Sequence, residues 1–384
     1  MTQAVMVLAA ALLAAHLLTI ALYIVRLRRR PPQTGTIGRP RLTLLRPVCG
    51  REAFDHETLE SSFTQDYPDY EVIFCAPSEA DPAVPLLRQL IAAHPERPAR
   101  LFTGEQRITR NPKLNNLWPG WQAAATDWVC MADSNLRLPA DYLATVVAAW
   151  VDDTGLVSSP PVGERPDGLA GSLECAFLNS NQARLQFASD SLGSAYAQGK
   201  TLFWNRQMLN DAGGLEALGR YLAEDVNATK LVRGAGLKVR LTPLPFAQPI
   251  GRRSFADVWK RQLRWSRVRR DGFPWLFAAE PFNGPLVPFI LAAVAAARLD
   301  VSAILLPAVA VLWYGAELVL MRRAGWPSSW RDVLALPLRD GLLPALWLAT
   351  FLKRDIEWRG NAIAPQSADE PMTPALVERG PGGA

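Results

Sequence analysis

Three carboxylates in this chain follow apolar stretches, and a cluster of arginines comes after them. Asp81 stands in "SEADPAVP", just behind "YEVIFCA". Asp133 stands in "MADSNLRL", behind "DWVCMA". Asp225 stands in "YLAEDVNATKLV", after the loop "AGGLEALGR". An acid at such a place either caps the helix that follows it or faces a ligand beyond the strand end. Asp81 suits a cap well, since a helix pattern follows. Three such acids in one segment, together with "RQLRWSRVRR" (261–270), favour a ligand. In that motif Arg261 and Arg264 share a helical face, with Trp265 beside it. Guanidinium forks match phosphate oxygens two at a time. A basic helix lying on a membrane surface is the other reading of the motif. Both hold if Arg267, Arg269 and Arg270 turn to lipid headgroups.

The elements that must position these residues can be read from the apolar pattern. "RLTLLRPV", "YEVIFCA", "ARLFTG" and "DWVCMA" read as strands. "HETLESSFTQD", "PAVPLLRQLIAAH" and "LNNLWPGWQAAAT" read as helices between them. Unbroken apolar strands alternating with helices imply an α/β domain whose mainly parallel sheet is covered on both faces. In such sheets ligands lie beyond the carboxyl ends of the strands. "YAQGKTLFW" (196–204) adds a loop and a strand, with Gly199 and Lys200 as further, weaker candidates.

The ends of the chain have a different character. Residues 5–25, "VMVLAAALLAAHLLTIALYIV", are apolar apart from His16 and Thr19. At roughly 1.5 Å per residue this stretch crosses a bilayer core of about 30 Å. No Lys or Arg precedes it, "RLRRR" follows at once, and no small-residue cleavage site ends it. An uncleaved anchor with everything after Arg26 starting in the cytoplasm is expected. "PPQTGTIGRP" (31–40) is a linker. Beyond residue 280, "PLVPFILAAVAAA" is short, whereas "VSAILLPAVAVLWYGAELVLM" (301–321) is long enough to span. "LALPLRDGLLPALWLATFL" (334–352) carries Arg339 and Asp340, which suits an interfacial or re-entrant helix as well as a span. The expected organisation is an anchor over 1–28, a cytoplasmic domain over 40–280, membrane helices over 281–355 and a disordered tail over 365–384.

The net charge is +5, which suits an anionic membrane surface or a phosphate-bearing small molecule. The basic clusters border apolar stretches and form no nucleic-acid module, so nucleic acid is not an expected partner. Four cysteines without a C-x-x-C pair read as buried thiols, and three scattered histidines give no zinc pattern.

"NPKLNNLWPGW", "ADSNLRL", "AGGLEALGRYLAEDV" and "RQLRW" together resemble the ceramide glucosyltransferases. These are membrane-anchored, inverting, nucleotide-sugar-dependent glycosyltransferases with a Rossmann-like A-type fold. The resemblance runs over roughly residues 40–285 with the motifs in the family's order. It sets Asp81, Asp133 and Asp225 on the family's three acids, and Arg261, Arg264 and Trp265 on its (Q/R)-x-x-R-W motif. Many related enzymes carry D-x-D at the second acid. This chain reads Asp133-Ser134-Asn135, so the resemblance gives a metal one carboxylate.

The resemblance implies roles. Asp81 and Lys113 would contact the nucleotide of a UDP-sugar. Asp133 would hold Mg2+ or Mn2+ on the diphosphate. Asp225 would be the general base for a lipid hydroxyl of ceramide or diacylglycerol. Arg261 and Arg264 would steady the departing diphosphate, and Trp265 would stack on sugar or acceptor. One displacement would give a β-glycolipid at the cytoplasmic face of a membrane, a bacterial inner membrane being expected. A hopanoid-directed glycosyltransferase and a processive polysaccharide synthase are the alternatives. A non-catalytic membrane adaptor would have no use for three strand-end acids.

Overall fold

A computed structural model describes residues 2–28, 35–220, 223–299, 304–352, 356–358 and 361–363. The tail over 365–384 and parts of "RLRRR" and of the linker lie outside the described residues.

The N-terminal apolar stretch is one helix, α1 (Thr2–Arg26). The α/β domain then runs β1 (Leu42–Pro47), α2 (Asp55–Glu60), β2 (Tyr70–Ala76), α3 (Val84–Ala93), β3 (Ala99–Thr103), α4 (Pro112–Ala123), β4 (Trp128–Ala132) and α5 (Tyr142–Ala148). It continues with β5 (Thr154–Ser158), β6 (Pro161–Asp167), α6 (Gly168–Ala176), a π-helix (Phe177–Ala183) and α7 (Arg184–Ser191). After these come β7 (Thr201–Asn205), α8 (Arg206–Asp211), α9 (Gly214–Leu218), α10 (Glu224–Gly234), β8 (Lys238–Leu241) and β9 (Phe246–Arg252). The motif helix α11 (Phe255–Gly272) follows, then α12 (Pro274–Ala279), α13 (Leu286–Leu299), α14 (Leu305–Arg323) and α15 (Trp330–Ala349).

Seven strands form one sheet in the order β3-β2-β1-β4-β7-β5-β8. The strands β1 to β4 pair in parallel, as the apolar runs predict. One strand departs from that expectation: β7 is antiparallel to both β4 and β5. The strand order reverses between β1 and β4, which opens a crevice beyond their carboxyl ends. Beside this sheet, β6 and β9 form a separate parallel pair.

Successive side chains point to opposite faces, so each strand feeds two cores. Leu45, Ile73, Val129 and Met131 meet Leu114, Leu117 and Trp121 of α4 on one face. Leu44, Val72, Phe74 and Cys130 meet Leu87 of α3 and Tyr142 and Leu143 of α5 on the other. Cys75, Cys130 and Cys175 are buried thiols.

Among the described residues, two helices are long and apolar enough to cross a membrane, Gln3–Arg26 and Leu305–Arg323. Pro274–Asn283 and Leu286–Arg298 would make a third span if counted together, bent by 48° at the break. The Arg339–Asp340 segment lies in α15, which packs on α6 of the α/β domain. α1 packs on α13, α14 and α7, so the N-terminal helix and the helices after α12 meet at one side of the domain.

Gly120 lets α4 ride close over β1 and β2. A Cβ there would stand 2.5 Å from Cys75 Sγ and 2.7 Å from Leu45 Cδ1. We expect Gly120→Val to destabilise the fold by about 1–3 kcal/mol through overpacking, read as a lowered urea midpoint in detergent; an unchanged midpoint would show that the approach is not limiting.

Candidate active site

The strand β4 ends in buried apolar residues and delivers Asp133 to the mouth of the crevice. Its backbone is fixed there from two sides. Asp133 N donates to Lys200 O at 3.1 Å, continuing the β4–β7 ladder. Arg46, the one base inside β1, is fully buried and donates to Asp133 O, Ser134 O and Leu136 O at 2.8, 3.1 and 3.0 Å. Burial pushes the Arg46 pKa down to about 10, and it keeps its charge at neutral pH. The loop after Asp133 is therefore wrapped on a guanidinium.

The Asp133 carboxylate lies between two ammonium groups. Lys113 Nζ is 2.7 Å from Oδ1, and Lys200 Nζ is 3.0 Å from Oδ2. Burial alone would raise the Asp133 pKa; the two lysines outweigh it and hold the carboxyl well below the usual carboxylate range. Lys113 also donates to Glu224 Oε1 and to Gly199 O, both at 2.7 Å, so three acceptors match its three N–H bonds. Burial disfavours the Lys113 charge, and Asp133 and Glu224 reverse that and raise its pKa. Lys200 uses one further N–H on Asn135 Oδ1 at 2.8 Å. Its pKa is lowered, because burial and the nearby Arg261 and Lys113 together exceed the pull of Asp133.

Asp225 opens α10, one residue after Glu224. It accepts from Gly199 N at 3.1 Å and Val226 N at 2.8 Å. Burial and the Glu224 charge push its pKa up to about 6, against the opposing effects of these two N–H groups and of Lys113. Glu224 is held on its other oxygen by Asn111 Nδ2 at 2.9 Å. Asn111 in turn caps α4 through Lys113 N. Glu224 of the "ED" pair thus reaches Asp133 through one lysine, and Asp225 joins the cluster through the backbone of Gly199.

Arg261 joins from α11. It donates to Glu174 Oε1 at 3.0 Å and lies in the field of Lys200. Glu52, Arg253, Arg261 and Lys200 also act on one another: Arg253, Lys200 and Arg261 overcome burial to lower the Glu52 pKa. Glu52 follows β1 on the loop that Asp81 secures. Asp81 accepts from Gly50 N at 3.1 and 2.9 Å and from Ala83 N at 2.8 Å. It is therefore bonded to backbone on both sides of the β1 and β2 ends. The half-buried Trp265 ring packs on Cys175, Leu178 and Ile250. Arg264 lies one turn from Arg261 on α11.

The structure thus brings Lys113, Asp133, Gly199, Lys200 and Asp225 into one bonded cluster, with Arg261 beside it. Sequence reasoning passed over Arg46, Asn111 and Glu174. Two of these carry a signal in hindsight, as single charged residues inside apolar runs, "LTLLRPV" and "LAGSLECAFL".

For a hard cation the fit is limited. Among the described residues no group of three His, Cys, Asp or Glu side chains stands ready to hold a metal ion. Asp133 offers one rigid carboxylate, partly exposed, and both its oxygens are engaged by ammonium groups. The donor set fits a single carboxylate ligand and nothing more.

Comparison with known proteins gives a consistent picture. The model of glycosyl transferase family 21 matches residues 6–368. Ceramide glucosyltransferase 1 of Caenorhabditis elegans is 27% identical over 270 residues, 70% of this chain and 58% of that protein. Ceramide glucosyltransferase 3 of the same organism is 23% identical over 359 residues, 91% of this chain and 77% of that protein. The chain thus spans a little over half to three quarters of the length of these relatives. Among solved structures, a mannosyltransferase from Pyrobaculum calidifontis in complex with GDP-Man and Mn2+ is 22% identical. The match has a TM-score of 0.49 and covers 88% of this chain and 98% of that one.

Gly199 faces Glu224 closely: an added Cβ would lie 2.6 Å from Glu224 Oε1. Gly199→Ala is expected to push Glu224 off Lys113 and lower transfer at least about tenfold, with little loss of fold; a progress curve and a melting curve on the same preparation check it.

Proposed function

Because the chain belongs to glycosyl transferase family 21, we propose that it moves a hexose from a UDP-sugar to a membrane-lipid hydroxyl, of ceramide or diacylglycerol, by one inverting displacement. It is a glycosyltransferase. The observation that carries the finer reading is the Lys113 bridge. It joins the strand-end carboxylate Asp133 to Glu224, the neighbour of the base candidate Asp225, and to Gly199, whose N–H holds Asp225, at the strand-order reversal.

In this reading the acceptor O–H lies against Asp225. The proton passes to the Asp225 carboxylate as the acceptor oxygen bonds to the anomeric carbon. The bond from that carbon to the diphosphate oxygen breaks on the opposite face, and its electron pair leaves with UDP. A carboxyl with a pKa of about 6 is well matched to accept a proton near neutrality. Lys200 and Arg261 meet the growing charge of the diphosphate, and Arg264 joins them from the same helix. Asp81 secures the β1 loop against which the nucleotide would lie, and Trp265 forms the wall behind the motif. If Mg2+ or Mn2+ is bound, Asp133 is its protein ligand, and it supplies Lewis-acid neutralisation of the diphosphate.

The apolar helices support a protein embedded in the membrane through α1 and α14, with residues 40–280 as the catalytic domain and 281–355 as membrane helices. The bend between Asn283 and Leu286 supports an interfacial entry just after that boundary. The arginines after α1 support a cytoplasmic orientation of the domain, and the reading takes the membrane to be a bacterial inner membrane. Incubating the membrane-embedded protein with labelled UDP-sugars and each lipid class, and identifying the product, tests the proposal; no labelled glycolipid with any pair would overturn it.

Two further outcomes are expected. Asp225→Asn lowers turnover about 10²–10⁴-fold while UDP still raises the melting temperature; near-normal turnover would remove Asp225 as base. The base acts ionised, so the rate falls as pH drops through about 6. Lys113 lowers the Asp225 pKa, so Lys113→Met moves this acid limb to higher pH; a pH–rate profile with an unmoved limb would contradict the coupling.

A further inference from the structure

Glu174 is fully buried in α6, a helix otherwise lined with apolar and small residues. One of its oxygens holds Arg261, and the other has no hydrogen-bond partner. A buried carboxylate is costly unless it is paired, so the residue has a specific task at this place. The helix that carries it does not end at Ala176. It runs on through the π-helix into α7. π-helical turns are rare and are concentrated at functional sites.

One side of this continuous rod touches the catalytic motif. Besides the Glu174–Arg261 pair, Gln182 Nε2 donates to Gln262 Oε1 at 3.1 Å, and Trp265 packs on Cys175 and Leu178. Asn179 clamps the rod to β6, accepting from Gly163 N at 2.6 Å and donating to Gly163 O at 3.0 Å. The other side touches the membrane helices. Arg339 of α15 donates to Ser180 Oγ, and pairs with Glu317 of α14 at 3.0 Å. Arg184 donates to Thr19 Oγ1 and contacts His16 Nδ1 at 3.2 Å, both on α1. His16 in turn stacks on Trp313 of α14 with ring centroids 3.6 Å apart.

We propose that Glu174 is a positioning residue for Arg261, and that the rod from α6 to α7 sets the arginine motif at a fixed place relative to the membrane helices. The inference rests on the functional reading above, in which Arg261 faces the leaving diphosphate. Glu174 does not touch the donor. It fixes one arm of the guanidinium and so aims the rest, and Ser180 and Arg184 keep the rod itself from shifting in the membrane.

The test uses the full chain in lipid nanodiscs, with Glu174→Gln, Arg261→Lys and the double variant. Glu174→Gln is expected to lower kcat about 10²-fold, the scale of a misaimed catalytic group, with the KM for the lipid unchanged. The double variant should be no slower than the slower single one, because both changes remove the same alignment. If Glu174→Gln does not fold, Glu174→Asp keeps the charge with a shorter reach and takes its place in the same cycle. Ser180→Ala, remote from the motif, should lower kcat about twofold to fivefold in the same direction. Full kcat in Glu174→Gln, or effects that multiply in the double variant, would overturn the positioning role. A silent Ser180→Ala would overturn the link to the membrane helices. Failure of the wild-type chain to transfer from any UDP-sugar would overturn the functional reading, and this inference with it. Transfer by the wild type together with an unaffected Glu174→Gln would overturn this inference alone.

Discussion

The ammonium group of Lys113 is the contact on which the rest of the site depends. Its three acceptors come from three separate parts of the chain: Asp133 after β4, Glu224 at the start of α10, and the Gly199 carbonyl before β7. Without it, Asp133 and Glu224 would share a half-buried crevice with Lys200, on the other oxygen of Asp133, left to answer both charges. Such an arrangement protonates or opens. Lys113 itself is placed by the first turn of α4, where Asn111 caps the helix and also holds Glu224. One capping residue thus orients both partners of an ion pair.

Much of the architecture was legible in the residues. The apolar runs of β1, β2 and β4 named a buried sheet, and the long apolar stretches at 5–25 and 301–321 named the helices that can cross a membrane. The antiparallel β7 was not legible, because a strand's apolar pattern is the same in either direction. In the site, Asp133 and Asp225 stood out as acids beside apolar segments. The link from Asp133 through Lys113 to Glu224, beside Asp225, did not, because the Lys113–Glu224 pair closes over 111 residues and local spacing carries no trace of it. Asp81 read equally as a cap or as a ligand contact. Its bonds to Gly50 N and Ala83 N show that the cap-like half of that reading is present. Glu174 went unread because an acid in an apolar helix has no partner until the fold supplies Arg261.

Charge also organises the side of the domain that meets the apolar helices. His16, Arg184, Glu317, Arg339 and Asp340 are all buried there, and they contact one another across α1, α7, α14 and α15. Apolar packing between such helices is tolerant of sliding. Paired charges are not, because a shift by one turn would leave an ion without its counter-ion. The network therefore fixes the register of the helices against the rod that carries Glu174.

The antiparallel docking of β7 has a consequence for how the molecule assembles. Lys200 reaches Asp133 only because Ala132 pairs with Thr201 across the β4–β7 ladder. A slip of one residue would turn the lysine to the opposite face of the sheet. β7 is made only after nearly half the chain beyond Leu42, so the strands β1 to β4 precede the one that brings Lys200 to Asp133. The β4–β7 and β1–β4 ladders both join residues far apart in sequence, and pairings of that kind slow folding. A chain in which β7 has not yet docked can thus hold its parallel apolar strands together and still lack Lys200 beside Asp133.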